Sequence, residues 1–225
     1  MPAARQEQDV NIVIPAWNAA NSLRATLDSL AEAGCPIILA DAASPDGTAQ
    51  LAESFGVQVV QAPRGRGAQL ATGIAATTAP WLLLLHADTR PEPGWWQATQ
   101  AFMARGPGVG YFDFILDSDA PAARRLERAV AWRCRRFALP YGDQGLLIHR
   151  DLLEHAGGIR PLPLMEDVDL IRRLRPLRPE RIGVRAMTSA ARFERGGYVR
   201  RPARNLVFLA AWLAGVPPRV LARWY

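Results

Sequence analysis

The chain has 225 residues, 49% of them apolar and 21% charged, a globular composition that excludes a disordered or fibrous protein. The length suits one sizeable domain with an extension better than two complete domains. The net charge of +6 is carried by 27 arginines with no lysine, and it is uneven: residues 1–119 hold six arginines against twelve acids, residues 120–225 hold 21 against nine.

The basic half suits anionic lipid headgroups or a phosphorylated acceptor, or it reflects genomic base composition. Cys35 and Cys134 are far apart, so neither a disulfide framework nor a metal knuckle is expected, and a reducing cytoplasm fits. The first ten residues lack a charged segment followed by an apolar one, so no secretory signal is read there. The longest uncharged apolar stretch, Leu206–Val216, stops at Pro217 and Pro218, short of the roughly 17–25 residues that span a bilayer.

In chain order, the first half alternates apolar runs with amphipathic segments. Strands are expected at Val10–Ile14, Pro36–Ala40, Val57–Gln61 and Trp81–Leu85. Helices are expected between them at Ala19–Ala33, Thr48–Phe55 and Ala68–Ala76. Continuous apolar strands joined by short helical connections predict an α/β fold, a mostly parallel central sheet with helices on both faces. Beyond residue 90 the pattern predicts helices at Gly94–Arg105, Ala120–Leu139, Asp151–Ala156 and Glu166–Arg175, with strands at Val109–Leu116 and Gln144–His149. Residues 1–200 read as one domain with two halves, 1–119 and 120–200. Residues 201–225 form a basic amphipathic extension suited to a peripheral contact with the inner face of a membrane.

Ligands of open α/β sheets bind beyond the carboxyl ends of the strands. The first strand exits into Pro15-Ala16-Trp17-Asn18, where the proline ends the strand and Trp17 either stacks on a nucleobase or joins the core. Asp41 closes the second strand, placed to accept hydrogen bonds from a base or ribose; Ser44, Asp46 and Thr48 read as turn and capping residues. Arg66 lies in a glycine-bearing turn leading into a helix, an arrangement that attracts phosphate. The fourth strand ends in His86-Ala87-Asp88. Asp88 is a hard oxygen ligand for Mg2+ or Mn2+, whereas His86 is a ligand or hydrogen-bonded scaffold. Glu166, Asp167 and Asp169 open a helix. They either complement its dipole, with Asp169 pairing Arg172 or Arg173, or supply a general base.

Together the segments IPAWNAANSLRATLDSL, LADAASPDGT, RGRGAQLATGIAAT, LLLLHADT and GGIRPLPLMEDVDLIRRLR resemble, in order and spacing over about residues 10–175, the family 2 glycosyltransferases of GT-A fold, above all small bacterial members whose fourth strand ends in H-A-D-T. The resemblance implies an inverting sugar transfer from a nucleotide diphosphate sugar to an acceptor hydroxyl, assisted by a divalent metal, with residues 1–119 as the nucleotide-binding half and 120–200 as the acceptor half. It assigns Pro15, Trp17 and Asp41 to the base and ribose, Arg66 to the base or phosphates, and Asp88 to metal and diphosphate, with His86 standing where the first acid of a D-x-D usually stands. Asp167 becomes the catalytic base with Glu166 beside it. The acceptor is not legible, a lipid-linked one being a candidate, and neither is the choice between uridine and guanosine. Two other readings compete. A nucleotidyltransferase of related fold would open with a glycine loop and a lysine, both missing here. A nucleic-acid-binding module would need aromatics interleaved with arginine, a pattern that Trp132, Phe137, Phe193 and Tyr198 meet only loosely, so nucleic acid is not expected as a partner.

Overall fold

The computed structural model describes residues 9–224. The leaderless reading of the N-terminus concerns positions 1–8, which lie outside the described residues, as does Tyr225 of the tail. Eight strands form one sheet in the order β3-β2-β1-β4-β7-β6-β8-β5. In chain order they are β1 (Val10–Ala16), β2 (Ile37–Asp41), β3 (Gln58–Gln61), β4 (Trp81–Leu84), β5 (Thr89–Pro91), β6 (Val109–Leu116), β7 (Leu146–His149) and β8 (Glu180–Thr188). The β3-β2-β1-β4 side is parallel, as expected. Beyond it the sheet is mixed, because β7 runs antiparallel to β4 and β6 while β8 runs parallel to β6 and antiparallel to β5.

Both faces of the parallel side are covered, which is why its strands read as unbroken apolar runs. Val10, Ile12 and Ile14 face one layer with Leu23, Leu27, Leu30 and Trp95, while Val13 faces the other with Leu70, Leu82 and Leu170. The first layer is built by α1 (Ala20–Leu30), α2 (Thr48–Ser54) and α4 (Trp95–Met103); α3 (Arg66–Ala75) lies on the second. Gly73 lets α3 approach closely, since a Cβ there would sit 2.5 Å from Val13 Cγ1. On the mixed side α5 (Pro121–Phe137) packs Ala123, Val130 and Cys134 on Tyr111, Phe114 and Leu116 of β6. α6 (Arg150–His155) follows β7, and α7 (Glu166–Arg173) carries the acidic segment.

Two sequence expectations are corrected. Pro15 does not end β1, which continues to Ala16: β4 pairs only with Val10–Val13, so the missing N–H of Pro15 falls beyond that ladder, while Pro15 and Ala16 still align with Ala40 and Asp41 of β2. Strands β5 and β8 were not foreseen. β8 is the more instructive, because Ile182 and Val184 pack inward between exposed Arg181 and Arg185, a period of two that arginine-rich flanks obscure.

After α8 (Ala191–Gly196), the basic tail folds into α9 (Arg200–Leu213) and α10 (Pro218–Leu221). Leu209 and Leu221 are buried against Leu164, Met165 and Val168, so the tail closes over the start of α7. No described helix is long and apolar enough to cross a membrane.

Candidate active site

The strand exits form the donor side. Asp41 is buried at the end of β2, and its carboxylate accepts hydrogen bonds from the Ser44 N–H at 2.8 Å and the Ser44 hydroxyl at 2.5 Å. The Ser44 hydroxyl in turn accepts from the Asn18 N–H at 2.9 Å. Asp46 accepts from the N–H of Ala20 at 3.0 Å and from the N–H and hydroxyl of Thr48, and the Thr48 hydroxyl holds its carboxyl below the usual carboxylate range. Ser44, Asp46 and Thr48 are thus structural, tying the loops after β1 and β2 together, although the cap position of α2 is Gly47 and no side chain caps it. Trp17 is no core residue: it is 44% exposed, with the Arg64 guanidinium 3.6 Å from its ring centroid. Arg64 therefore stands nearest the base-stacking candidate.

Arg66, at the first position of α3, turns elsewhere. It forms an ion pair with Glu166 across 100 residues of sequence, and its Nη1 lies 3.5 Å from His86 Nε2. Two tight contacts seat the helix. Gln69 donates to the carbonyls of Ala16 and Ala40 at 2.5 and 3.1 Å, and a Cβ on Gly67 would lie 2.6 Å from the carbonyl oxygen of Arg160. The N-terminus of α3 is thereby wedged between the ends of β1 and β2 and the loop before α7.

The ends of β4 and α7 face each other. Surrounding protein strips the His86 ring of water, and that desolvation, with Arg66 and Arg192 nearby, keeps it well below the usual imidazole value and hence neutral at pH 7. Asp88 is partly accessible, with Arg192 of α8 approaching to 3.9 Å. Burial raises the Glu166 carboxyl, an effect opposed by Arg66 and reinforced by Asp167, and Glu166 Oε2 has no hydrogen-bond partner. Asp167 accepts from the Gly142 N–H at 2.9 Å through Oδ2 and from the Val168 N–H at 2.8 Å through Oδ1. Asp169 points away and pairs with Arg160 at 3.2 Å and Arg173 at 2.8 Å, as its structural reading anticipated, with Arg173 rather than Arg172 as the helical partner.

One functional candidate escaped the sequence reading. Asp143, in the turn Gly142-Asp143-Gln144 before β7, has a buried Oδ1 with no hydrogen-bond partner. Burial, together with Asp167 and Asp88 and against Arg133, pushes its carboxyl up to about 6. The only sequence signal was an acid and an amide between Gly142 and Gly145 immediately before a strand.

Among the described residues no three His, Cys, Asp or Glu side chains form a ready-made metal cluster. The set still fits a divalent cation of the kind held by one or two carboxylates plus substrate phosphates. Asp88 is accessible at the strand exit, His86 is neutral beside it, and the unpartnered Asp143 oxygen belongs to a carboxyl that the Asp88 charge helps to raise.

The curled mixed sheet with its acids gathered at one edge defines a protein of GT-A fold. Residues 11–153, well over half of the chain, match the model of glycosyl transferase family 2, and the chain belongs to that family. An uncharacterized glycosyltransferase of Mycobacterium tuberculosis is 36% identical over 139 residues, 60% of this chain and 63% of that relative, so the match spans less than two thirds of the relative's length. A pre-mycofactocin glycosyltransferase of the same species is 33% identical over 103 residues, 42% of this chain and 21% of the relative. Among solved structures, residues 1–349 of S. aureus TarS superpose with a TM-score of 0.65 at 12% identity, covering 81% of this chain and 60% of that one. Glucosyl-3-phosphoglycerate synthase from M. tuberculosis, in complex with Mn2+, uridine diphosphate and glucosyl-3-phosphoglycerate, gives a TM-score of 0.56 at 21% identity, covering 91% and 81%. These likenesses concern the fold.

Proposed function

We propose that the protein is an inverting glycosyltransferase that moves a sugar from a nucleotide diphosphate to an acceptor hydroxyl. The observation that carries this reading is the meeting of the two chain halves: the Arg66–Glu166 pair and the Gly142–Asp167 hydrogen bond bring the acidic helix start onto the exit of β4. In this reading Trp17, with Arg64 on one face, and Asp41 receive the base and ribose beside Pro15. Arg66 and the N-terminus of α3 face the diphosphate, whose charge grows as the anomeric bond breaks. Asp88, with His86 beside it, would hold a divalent cation that supplies further charge stabilisation to the leaving group when bound. Asp167 takes the proton of the attacking hydroxyl on the opposite side of the sugar, oriented by two backbone N–H groups, while Glu166 holds Arg66 in place.

Mn2+ and uridine diphosphate in the M. tuberculosis fold neighbour, and UDP-GlcNAc in a TarS complex, support a uridine donor and a divalent metal as the first ligands to try. A peripheral membrane contact through the tail belongs to the same reading. Calorimetry with UDP and GDP, with and without Mn2+, followed by proton NMR of the product's anomeric configuration, tests it. Absence of nucleotide diphosphate binding, or a product of retained configuration, overturns it.

A further inference from the structure

A second cavity, of about 610 Å³, lies between α5 and α9, within the size range of small-molecule sites, roughly 300–1,000 Å³. Its walls are mostly apolar, with Leu126 and Val130 from α5, Leu139 from the following loop, and Leu206, Leu209 and Leu213 from α9, while Arg133, Arg172 and Arg175 also reach it. Trp132 and Phe137, an edge-to-face pair 5.4 Å apart, also line it while remaining exposed. Tyr141, Val168 and Asn205 line both this cavity and a smaller one that reaches Arg66 and Asp167, so the apolar chamber adjoins the candidate active site. Two buried oxygens without hydrogen-bond partners, Asp143 Oδ1 and Asn205 Oδ1, belong to residues of its wall.

We infer that this chamber is the acceptor subsite and that the acceptor is an amphiphilic alcohol, its hydrocarbon tail between α5 and α9 and its hydroxyl head at the Asp143, Asn205 and Asp167 end. The inference rests on the transferase reading and names the substrate class that reading leaves open. A sugar or other polyol would leave the hydroxyls that face the leucine and aromatic walls unpaired, and burying an unpaired hydroxyl is unfavourable. The two unpartnered oxygens instead place the demand for a donor at one end only, and an alcohol head brings one O–H donor to that end. The apolar face of a partner helix or of a second copy would bury those oxygens without satisfying them.

The test uses the full chain and a dansyl-labelled undecanol, with 1-decanol as competitor and glycerol as the polar control. Ala129→Trp narrows the chamber from α5 and Leu206→Glu charges it from α9; both positions are exposed, so folding is preserved. Saturable dansyl emission that decanol but not glycerol displaces is expected, with affinity falling by about tenfold or more in both variants. UDP binding in the presence of Mn2+ is expected to stay unchanged in the same preparations. UDP binding without saturable probe binding, or equal probe binding in all three proteins, overturns the inference. So does loss of self-association or of vesicle binding in the variants when decanol never competes, since the face is then an interface with a second copy or a bilayer. Probe binding in a protein that binds no nucleotide diphosphate strikes the transferase reading instead, and the acceptor assignment falls with it.

Discussion

The Gly142 N–H donates to Asp167 Oδ2 at 2.9 Å, and a Cβ on the same glycine would lie only 2.7 Å from His86 Nε2 and 3.6 Å from Asp167 Oδ2. One residue of the turn before β7 thus sets the distance between the base candidate on α7 and the end of β4.

Gly142→Ala is therefore expected to push the His86 ring away and shift the turn that orients Asp167. A displacement of about 1 Å at such a point costs on the order of 10²-fold in turnover. Stopped-flow transfer rates alongside thermal unfolding check this: the rate should drop with little change in melting temperature, and an unchanged rate removes Gly142 from the site.

Asp167→Asn keeps the size of the side chain and loses its basicity. Turnover is expected to fall by about 10²–10⁴-fold with donor affinity nearly intact. Glu166→Gln weakens the pairing with Arg66 and acts mainly through donor affinity. Asp169→Asn is the control, lowering stability through its pairs with Arg160 and Arg173 and leaving the rate alone. Full activity in Asp167→Asn sends the base role elsewhere, with Asp143 the first place to look.

Asp143 makes stability depend on pH. Its unfolded value is 3.8 and its folded value about 6, so the folded state binds the proton more tightly. Stability from this group is therefore greatest below about pH 4, falls as pH rises to about 6, and stays low above that, a change of at most about 3 kcal/mol. Asp143→Asn should flatten this slope and raise stability at pH 8 above that of the parent. Urea titrations at pH 4.5 and pH 8 measure both, and a mutant with the parental slope refutes the assignment.

At the end of β4, Asp88→Ala should abolish the dependence of nucleotide diphosphate binding on Mn2+ or Mg2+. The check is calorimetry in excess chelator: parent protein that binds equally well without metal rules out the cation role of Asp88.

On the tail, Val199, Leu206, Val207, Leu213 and Trp224 are exposed beside Arg200 and Arg223. Binding to anionic vesicles that disappears at high salt is expected, each basic residue near the surface contributing about 1 kcal/mol. Arg200→Glu with Arg223→Glu should weaken sedimentation with vesicles. Deletion of the tail is the poorer test, because Leu209 and Leu221 pack beneath α7. Identical partitioning of the double mutant rejects an electrostatic contact.

Features formed by residues close in sequence were legible from the sequence alone. Apolar runs of strand length marked β1, β2, β4 and β6, and the order of the motifs marked the family. Asp41 with Ser44, and Asp46 with Thr48, close their hydrogen bonds within three positions, so their turn could be read from its own residues. Tertiary structure decided whatever depends on distant partners. Arg64 rather than Arg66 lies on Trp17, because Arg66 is drawn to Glu166. β8 finds its place between β6 and β5, and a tail that looked separate closes a chamber over α7. Asp143 acquires its raised carboxyl, against the pull of Arg133, only when water is removed and Asp167 and Asp88 are brought near it, and desolvation belongs to the assembled interior rather than to any stretch of chain.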